Sequence, residues 1–448
     1  MLCYIWTMKS KKVLNFKLAC AVCRKLKAFV RSFIGCGQGL FVFVILLLFT
    51  GCSCNNPVQP PTDKTMIKGT ITDSLTGQPL AGTVVSLNTG LSATTDNNGN
   101  YRLVGMGGGA FNLVADKPDY RLNNGQATVV ANDSAMLDLK IYPCQWETVT
   151  VPLPAPWDYY VTYIKDMCFV NELEGWVVGY SDALGMNEGF GIILHTSDGG
   201  YTWQMQYGCP NVNESFNNID FVDNQYGWTG GREGIMRTTD GGNSWVKIYT
   251  NSSGPIDFID RNIGFLVPVR YVYKTINSGD SIIYIGTIQI DTNLDDRVRK
   301  IKYINLNTSW ARTTRELFKT QDGGYNWSLV FNDLPPHVYN LVWPTVALEC
   351  LYPGYIWVEG KFSRDNGATW TNQTSDAYGA LSDASFANPA YGWMSGFYFM
   401  IHTVDSGRTW VKHDFPDCRI SAIQFLSPRL GWAFASYSGT LKRILIYK

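Results

Sequence analysis

The stretch Thr196-Ser-Asp198-Gly-Gly200-Tyr-Thr202-Trp203 decides the fold, because the chain keeps repeating it. The pattern returns at Thr238, Asp240, Gly242, Ser244, Trp245 and at Thr320, Asp322, Gly324, Asn326, Trp327. It returns again at Ser363, Asp365, Gly367, Thr369, Trp370 and at Thr403, Asp405, Gly407, Thr409, Trp410. A worn copy stands at Thr275, Asn277, Gly279, Ser281, Ile282. The last residues of successive copies lie 42, 37, 45, 43 and 40 positions apart. A period near 40 with short strands between turns predicts a β-propeller, one four-stranded blade per repeat.

The phrase has a mechanical reading. An Asp at this spacing accepts bonds from nearby backbone N–H groups, and the Gly supplies a left-handed turn position. The Trp is a large apolar plug suited to the seam between blades. These Asp residues are therefore read as turn staples, not as catalytic or metal-binding groups.

A second phrase supports the blade count. An aromatic residue, a short polar turn and Gly-aromatic recur at Phe169 with Gly175-Trp176, Phe221 with Gly227-Trp228, and Phe258 with Gly264-Phe265. They recur at Phe386 with Gly392-Trp393 and Phe425 with Gly431-Trp432, with weaker relatives at Tyr303 to Trp310 and Leu351 to Trp357. Seven occurrences predict seven blades. The last is followed only by a terminal strand, Leu441 to Tyr447, so its fourth strand must come from ahead of the first repeat. Trp146 to Val151 is the candidate, and joining the two ends removes an exposed strand edge.

Residues 66–143 read as a separate unit. Gly69-Thr-Ile-Thr-Asp73 and Thr83-Val-Val-Ser-Leu87 alternate apolar and polar residues, and Thr95-Asp96-Asn-Asn-Gly99 is a tight hairpin. About seven short strands in this span predict a small β-sandwich. The fold class is thus all-β: a sandwich over 66–143, then a propeller over 146–448. An aromatic content of 14% and 43 Gly suit such a chain.

The N-terminus reads as a targeting segment. Residues 1–51 carry eight Lys or Arg and no acid, ending in the apolar run Leu40 to Phe49 and then Thr50-Gly51-Cys52. This is the layout of a secretory signal. Residues 52–65, rich in Pro and Asn, read as a tether. The remaining 29 basic and 37 acidic residues make a mildly acidic body, which argues against nucleic acid as a partner.

Three resemblances follow from these residues. The segment Gly51-Cys52 after the apolar run resembles a bacterial lipoprotein signal, which implies that Cys52 is lipidated after cleavage. Ser53 after it, in place of Asp, points to the outer membrane. Gly69, Asp73, Gly77, Pro79, Leu80, Gly82, Val84, Asp96, Gly99, Tyr101 and Tyr120 resemble the carboxypeptidase regulatory-like family, a non-catalytic transthyretin-like module. The repeated phrase resembles the Asp-box, or BNR repeat, of sialidases, sortilin-type receptors, xyloglucanases and the photosystem II stability/assembly-factor family. Its pairing with the Gly-Trp phrase looks most like the last of these.

Function is less legible. Sialidase chemistry needs an arginine cluster and the family's Phe-Arg-Ile-Pro motif, which is missing; Val267-Pro-Val-Arg270 does not match. A xyloglucanase-type site needs two carboxylates roughly 5–10 Å apart across a cleft. Asp166, Asp220, Asp257 and Glu349 are the candidates. His195, His337, His402 and His413 show no metal-ligand spacing, and the acidic loop Asp291 to Asp296 lacks that of a known Ca²⁺ loop. Cys168 and Cys209 are placed to share a blade. The expectation is an exported, lipid-anchored, non-catalytic protein with no metal or cofactor, binding a glycan or a protein at the ends of its central channel. The alternatives are a sialidase-like or xyloglucanase-like glycosidase, and an assembly factor for a membrane complex.

Overall fold

The computed structural model describes residues 64–448 apart from 151–160, 183–188, 209–214, 233, 251–253, 292–296, 333, 335–345, 374–380, 417 and 438–441. The expected signal segment, Cys52, Cys209, His337 and most of the Asp291–Asp296 loop lie outside the described residues.

Alternating burial builds the sandwich. In Met66–Asp73 every second residue, Ile67, Gly69, Ile71 and Asp73, turns inward. This strand pairs antiparallel with Asn100–Val104 and parallel with Ser134–Met136 and Leu139–Ile141. The second sheet runs Ser92–Thr94, Val84–Leu87, Gly109–Asp116, Asn123–Val129. Ile67, Ile71, Val85, Leu103, Leu113 and Ile141 fill the space between the sheets. There are eight strands where the sequence reading counted about seven. Asp73 accepts bonds from Leu75 N–H (2.8 Å), Thr76 N–H (2.9 Å) and the Tyr120 hydroxyl (2.7 Å), so two residues far apart in sequence pin one end of the module.

Seven four-stranded sheets follow. Blade 1 is Val161–Phe169, Gly175–Asp182, Gly189–Thr196 and Gln204–Gly208. Blades 2 to 6 begin at Phe216–Phe221, Ile256–Phe258, Lys300–Tyr303, Leu348–Leu351 and Asp383–Phe386. Blade 7 is Cys418–Ser427, Leu430–Tyr437, Lys442–Tyr447 and, as its outer strand, Trp146–Thr150. That strand runs antiparallel to the C-terminal one, Trp146 opposite Tyr447 and Thr150 opposite Arg443. The first strand of every blade touches the first strand of the next, and the seventh touches the first. These strands form the wall of the central channel.

The Gly-Trp phrase explains itself in the seams. Trp176 of blade 1 stacks on Phe221 of blade 2 with centroids 3.7 Å apart, Trp228 on Phe258 at 3.7 Å, and Trp357 on Phe386 at 3.8 Å. Trp432 stacks on Phe169 at 3.7 Å and so joins blade 7 to blade 1. The Asp-box Trp stands edge-on against the same Phe: Trp203 on Phe169, Trp245 on Phe221, Trp410 on Phe386. Each stack is worth about 0.5–1.5 kcal/mol beyond the area it buries. The Gly before the Trp is needed for space. A Cβ on Gly175 would lie 2.4 Å from the Phe169 ring, which crosses over that position.

Candidate functional site

The Asp-boxes form compact turns. Asp198 Oδ1 accepts the Thr196 hydroxyl (2.8 Å) and Thr202 N–H (2.9 Å), while Oδ2 accepts the Thr202 hydroxyl (2.6 Å). Gly200 at φ 98° donates its N–H to Thr196 Oγ1 (2.9 Å), and Trp203 Nε1–H returns to Gly200 O (3.0 Å). The carboxylate pattern repeats at Asp240, Asp322, Asp365 and Asp405. The Trp-to-Gly bond repeats at Trp327 with Gly324, Trp370 with Gly367 and Trp410 with Gly407. Gly242 keeps the same contact to Thr238, whereas the Trp245 indole N–H has no partner. With every oxygen engaged, these carboxyls sit below the ordinary value; the Thr369 hydroxyl and N–H hold Asp365 at about 2.

The four candidate carboxylates converge on the wall of the central channel. In each blade the residue before the seam aromatic, or its counterpart, sits on the channel wall: Cys168, Asp220, Asp257, Lys302, Glu349, Ser385 and Gln424. Several of these side chains reach to the next inner strand. Asp220 Oδ2 accepts Phe258 N–H (2.5 Å), Asp257 Oδ2 accepts Tyr303 N–H (2.6 Å), Ser385 Oγ accepts Phe425 N–H (2.9 Å), and Gln424 Oε1 accepts Phe169 N–H (2.6 Å). Two residues earlier, Asp166 takes Ile219 N–H (3.0 Å) and Asp383 takes Ile423 N–H (3.0 Å). Asp166, Asp220, Asp257 and Asp383 thus lace neighbouring blades together, whereas Glu349 accepts the N–H of Cys350 on its own strand.

Two lysines supply the counter-charge. Lys300 Nζ reaches Asp383 at 2.6 Å from two blades away, and Lys302 Nζ lies 3.5 Å from Asp257. Burial pushes Asp166 up to about 6 and, with the charge of Asp257, pushes Asp220 up to about 7. Burial likewise raises Asp257 and Glu349. Asp257 is only 7% exposed. A proton-transfer pair needs carboxyl oxygens that reach a substrate; here both oxygens of Asp166 and one oxygen each of Asp220 and Asp257 accept backbone bonds inside the ring.

The sequence reading missed a third cluster, where the sandwich meets the propeller. Asp119 stands at the tip of a sandwich turn with φ 65°. Its Oδ1 accepts the hydroxyls of Tyr391 (2.5 Å) and Tyr447 (3.0 Å), and its Oδ2 accepts His402 Nε2–H (3.1 Å). His402 Nδ1 lies 2.9 Å from His413 Nε2, and its ring stacks on Trp393 at 4.5 Å. Beside it, Arg429 of blade 7 pairs with Asp116 and donates to Tyr120 O (2.5 Å). Burial works against the Asp119 charge, but the His402 bond and charge and the two phenols outweigh it and hold the carboxyl below its ordinary value. His413 is pushed down to about 4 by burial and by the neighbouring His402. His195 instead bonds Glu174 (2.6 Å) and stacks on Trp176. Among the described residues no group of three or more His, Cys, Asp or Glu is placed to hold a metal ion.

The architecture defines a class of protein: a transthyretin-like sandwich joined to a seven-bladed Asp-box propeller. Residues 66–142 match the family model of the carboxypeptidase regulatory-like domain, and residues 140–255 match that of the photosynthesis system II assembly factor YCF48. Among solved structures, "YCF48 bound to D1 peptide" is similar at 22% identity and a TM-score of 0.52, covering 67% of this chain and 96% of that one. YCF48 from Cyanidioschyzon merolae is similar at 19% identity and a TM-score of 0.48, covering 67% of this chain and 98% of that one. No curated protein matches the chain.

Proposed function

We propose that this chain is a non-catalytic binding protein of the cell envelope. In this reading it is lipid-anchored through Cys52 at the outer membrane, and its propeller holds a segment of a protein partner. One observation carries the non-catalytic part: Asp166, Asp220 and Asp257, three of the four carboxylates that a glycosidase reading would use, bond backbone N–H groups of the adjacent blade. The protein-partner part draws support from the likeness to a propeller whose structure holds a peptide. That likeness also makes an assembly or stability factor the kind of role to test first.

The experiment is a binding screen of the full chain against a peptide array and a glycan array, with a glycosidase assay on the same preparation. Peptide binding without hydrolysis is the expected result. Hydrolysis that disappears in Asp220→Asn or Asp257→Asn would reinstate the enzyme. For the anchor, Cys52→Ala is expected to abolish acyl labelling and membrane retention; unchanged retention would refute it.

A further inference from the structure

Blade 3 departs from the repeat twice. Its Asp-box is the worn one, with Asn277 for Asp and Ile282 for Trp. Its third strand also breaks the packing rule. Two residues before the box hydroxyl, blades 1, 2, 4 and 6 carry the buried apolar residues Leu194, Met236, Phe318 and Ile401, and blade 5 carries Lys361, whose ammonium lies over the Phe331 ring. Blade 3 carries Tyr273 there. Where a repeat sets the expectation, two departures in one blade mark a place kept for something other than ring closure.

The departure builds a surface. Tyr273 stands opposite Tyr284 on the adjacent strand, with ring centroids 5.7 Å apart at 70°. Tyr249 of blade 2 comes to 6.0 Å from Tyr273 at 55°. Tyr284 also bonds Thr287 Oγ1 at 2.7 Å. Tyr249 and Tyr273 rest on the core of the blade 2–3 seam. Tyr271 and Tyr284, outside them, are 41% and 53% exposed. The face is therefore rigid at its base and open at its top.

The loop leading into it is strained. Val269 has φ 58°, a left-handed conformation that a β-branched residue rarely adopts. Its carbonyl is held by Val298 N–H at 2.7 Å. The next residue, Arg270, places its guanidinium 5.6 Å from the Tyr271 ring centroid.

We infer that this tyrosine face, with Arg270 at its edge, is a docking surface for a carboxylate-bearing peptide segment of a partner protein. The inference rests on the reading above that the propeller binds protein. Tyr and Arg are enriched among the residues that anchor protein interfaces, and Tyr offers large contact area at low entropic cost. The steep ring angles offer no coplanar platform for the flat face of a sugar. Arg270 selects a carboxylate.

The test uses the full chain with a photo-reactive benzoylphenylalanine at position 284, and at exposed Leu329 on blade 4 as the control. Peptide-array binding of Tyr271→Ala, Tyr284→Ala and Tyr284→Phe is measured alongside. The expected result is cross-linking to a protein from position 284 only, with peptide binding weakened about tenfold in the Ala variants and kept in Tyr284→Phe. Tyr271 and Tyr284 are exposed, so their loss leaves the fold intact. Peptide binding that is undiminished in both Ala variants would overturn this site while leaving the general reading standing. Glycan binding that depends on Tyr284 would overturn the protein occupant, and binding to neither array would overturn both.

Discussion

Asp119 of the sandwich and His402 of the propeller, 283 residues apart in sequence, meet at 3.1 Å across the junction of the two domains. Around them the charged and titratable groups are His413, Tyr391, Tyr447, Cys144 and the Arg429–Asp116 pair. The junction is thus a polar knot in an apolar surround of Trp393, Cys418 and Phe425.

Acid should loosen this junction in two steps. His413, depressed to about 4 in the fold, has an ordinary value near 6.5. The unfolded chain therefore binds more protons between those values, and stability is full above about pH 6.5 and declines towards pH 4. Discounted for the partly exposed ring, the loss is about 1–2 kcal/mol. Asp119, held below its ordinary carboxylate value, adds a second loss that begins near pH 4 and runs lower. Thermal melts from pH 7.5 to 4 of wild type and His413→Phe will check this. The variant should lose the upper part of the slope; an identical slope would exclude His413 as its source.

Removing the carboxylate should cost more than removing the arginine beside it. Asp119→Ala leaves the Tyr391 and Tyr447 hydroxyls and His402 without their shared acceptor, and is expected to destabilise by about 2–3 kcal/mol. Arg429→Ala touches a more exposed pair and should cost about 1 kcal/mol. Urea unfolding of both variants compares them directly.

Seam rings should differ by burial. Trp432 is fully buried and donates its indole N–H to Gly199 O at 2.8 Å across the blade 7–1 seam. Trp432→Ala is expected to cost about 3–5 kcal/mol. Trp245→Ala, at a partly exposed ring whose indole N–H has no partner, should cost roughly half that or less. Equal losses would show that the stacked pair has no special part in closing the ring.

The worn box is repairable. Asn277 accepts the Thr275 hydroxyl (3.1 Å), Ser281 N–H (2.9 Å) and the Ser281 hydroxyl (3.2 Å) through its single carbonyl oxygen. Asn277→Asp supplies a second oxygen, as at Asp240, and should stabilise by about 0.5–1 kcal/mol. Differential scanning calorimetry at pH 7 will show the rise in Tm. The gain should shrink as the pH falls below the ordinary carboxyl value and be lost only through the depressed value that the other box carboxyls show.

Repetition made most of this fold readable. Six Asp-boxes and seven Gly-Trp phrases give the blades, and the closing strand read as Trp146 to Val151 is seen at Trp146–Thr150. The channel ring was half legible. Asp166, Asp220, Asp257 and Glu349 were singled out as acids, but the register that places them on the wall is the position relative to the seam aromatic, and that same register also names Lys302, Ser385 and Gln424. The Asp119 junction left no trace in any repeat. It joins a sandwich turn to two different blades, and such contacts depend on how two finished surfaces meet. The tyrosine face did leave a signal, the worn copy at Thr275 to Ile282, which marks the blade where packing gave way to exposure.

The pairing of Trp146–Thr150 with Lys442–Tyr447 also sets an order of events during synthesis. The strand that seals the ring emerges first and waits while nearly all the rest of the propeller is made. Holding a loop of this size closed costs only about 0.6 kcal/mol more than one half as long, so the delay is kinetic, not energetic. Until Lys442–Tyr447 has left the ribosome the nascent propeller carries two raw sheet edges, and a nearby copy of the chain is the most ready partner for either. The final blade is therefore where crowding during translation would turn one polypeptide into a strand-exchanged pair.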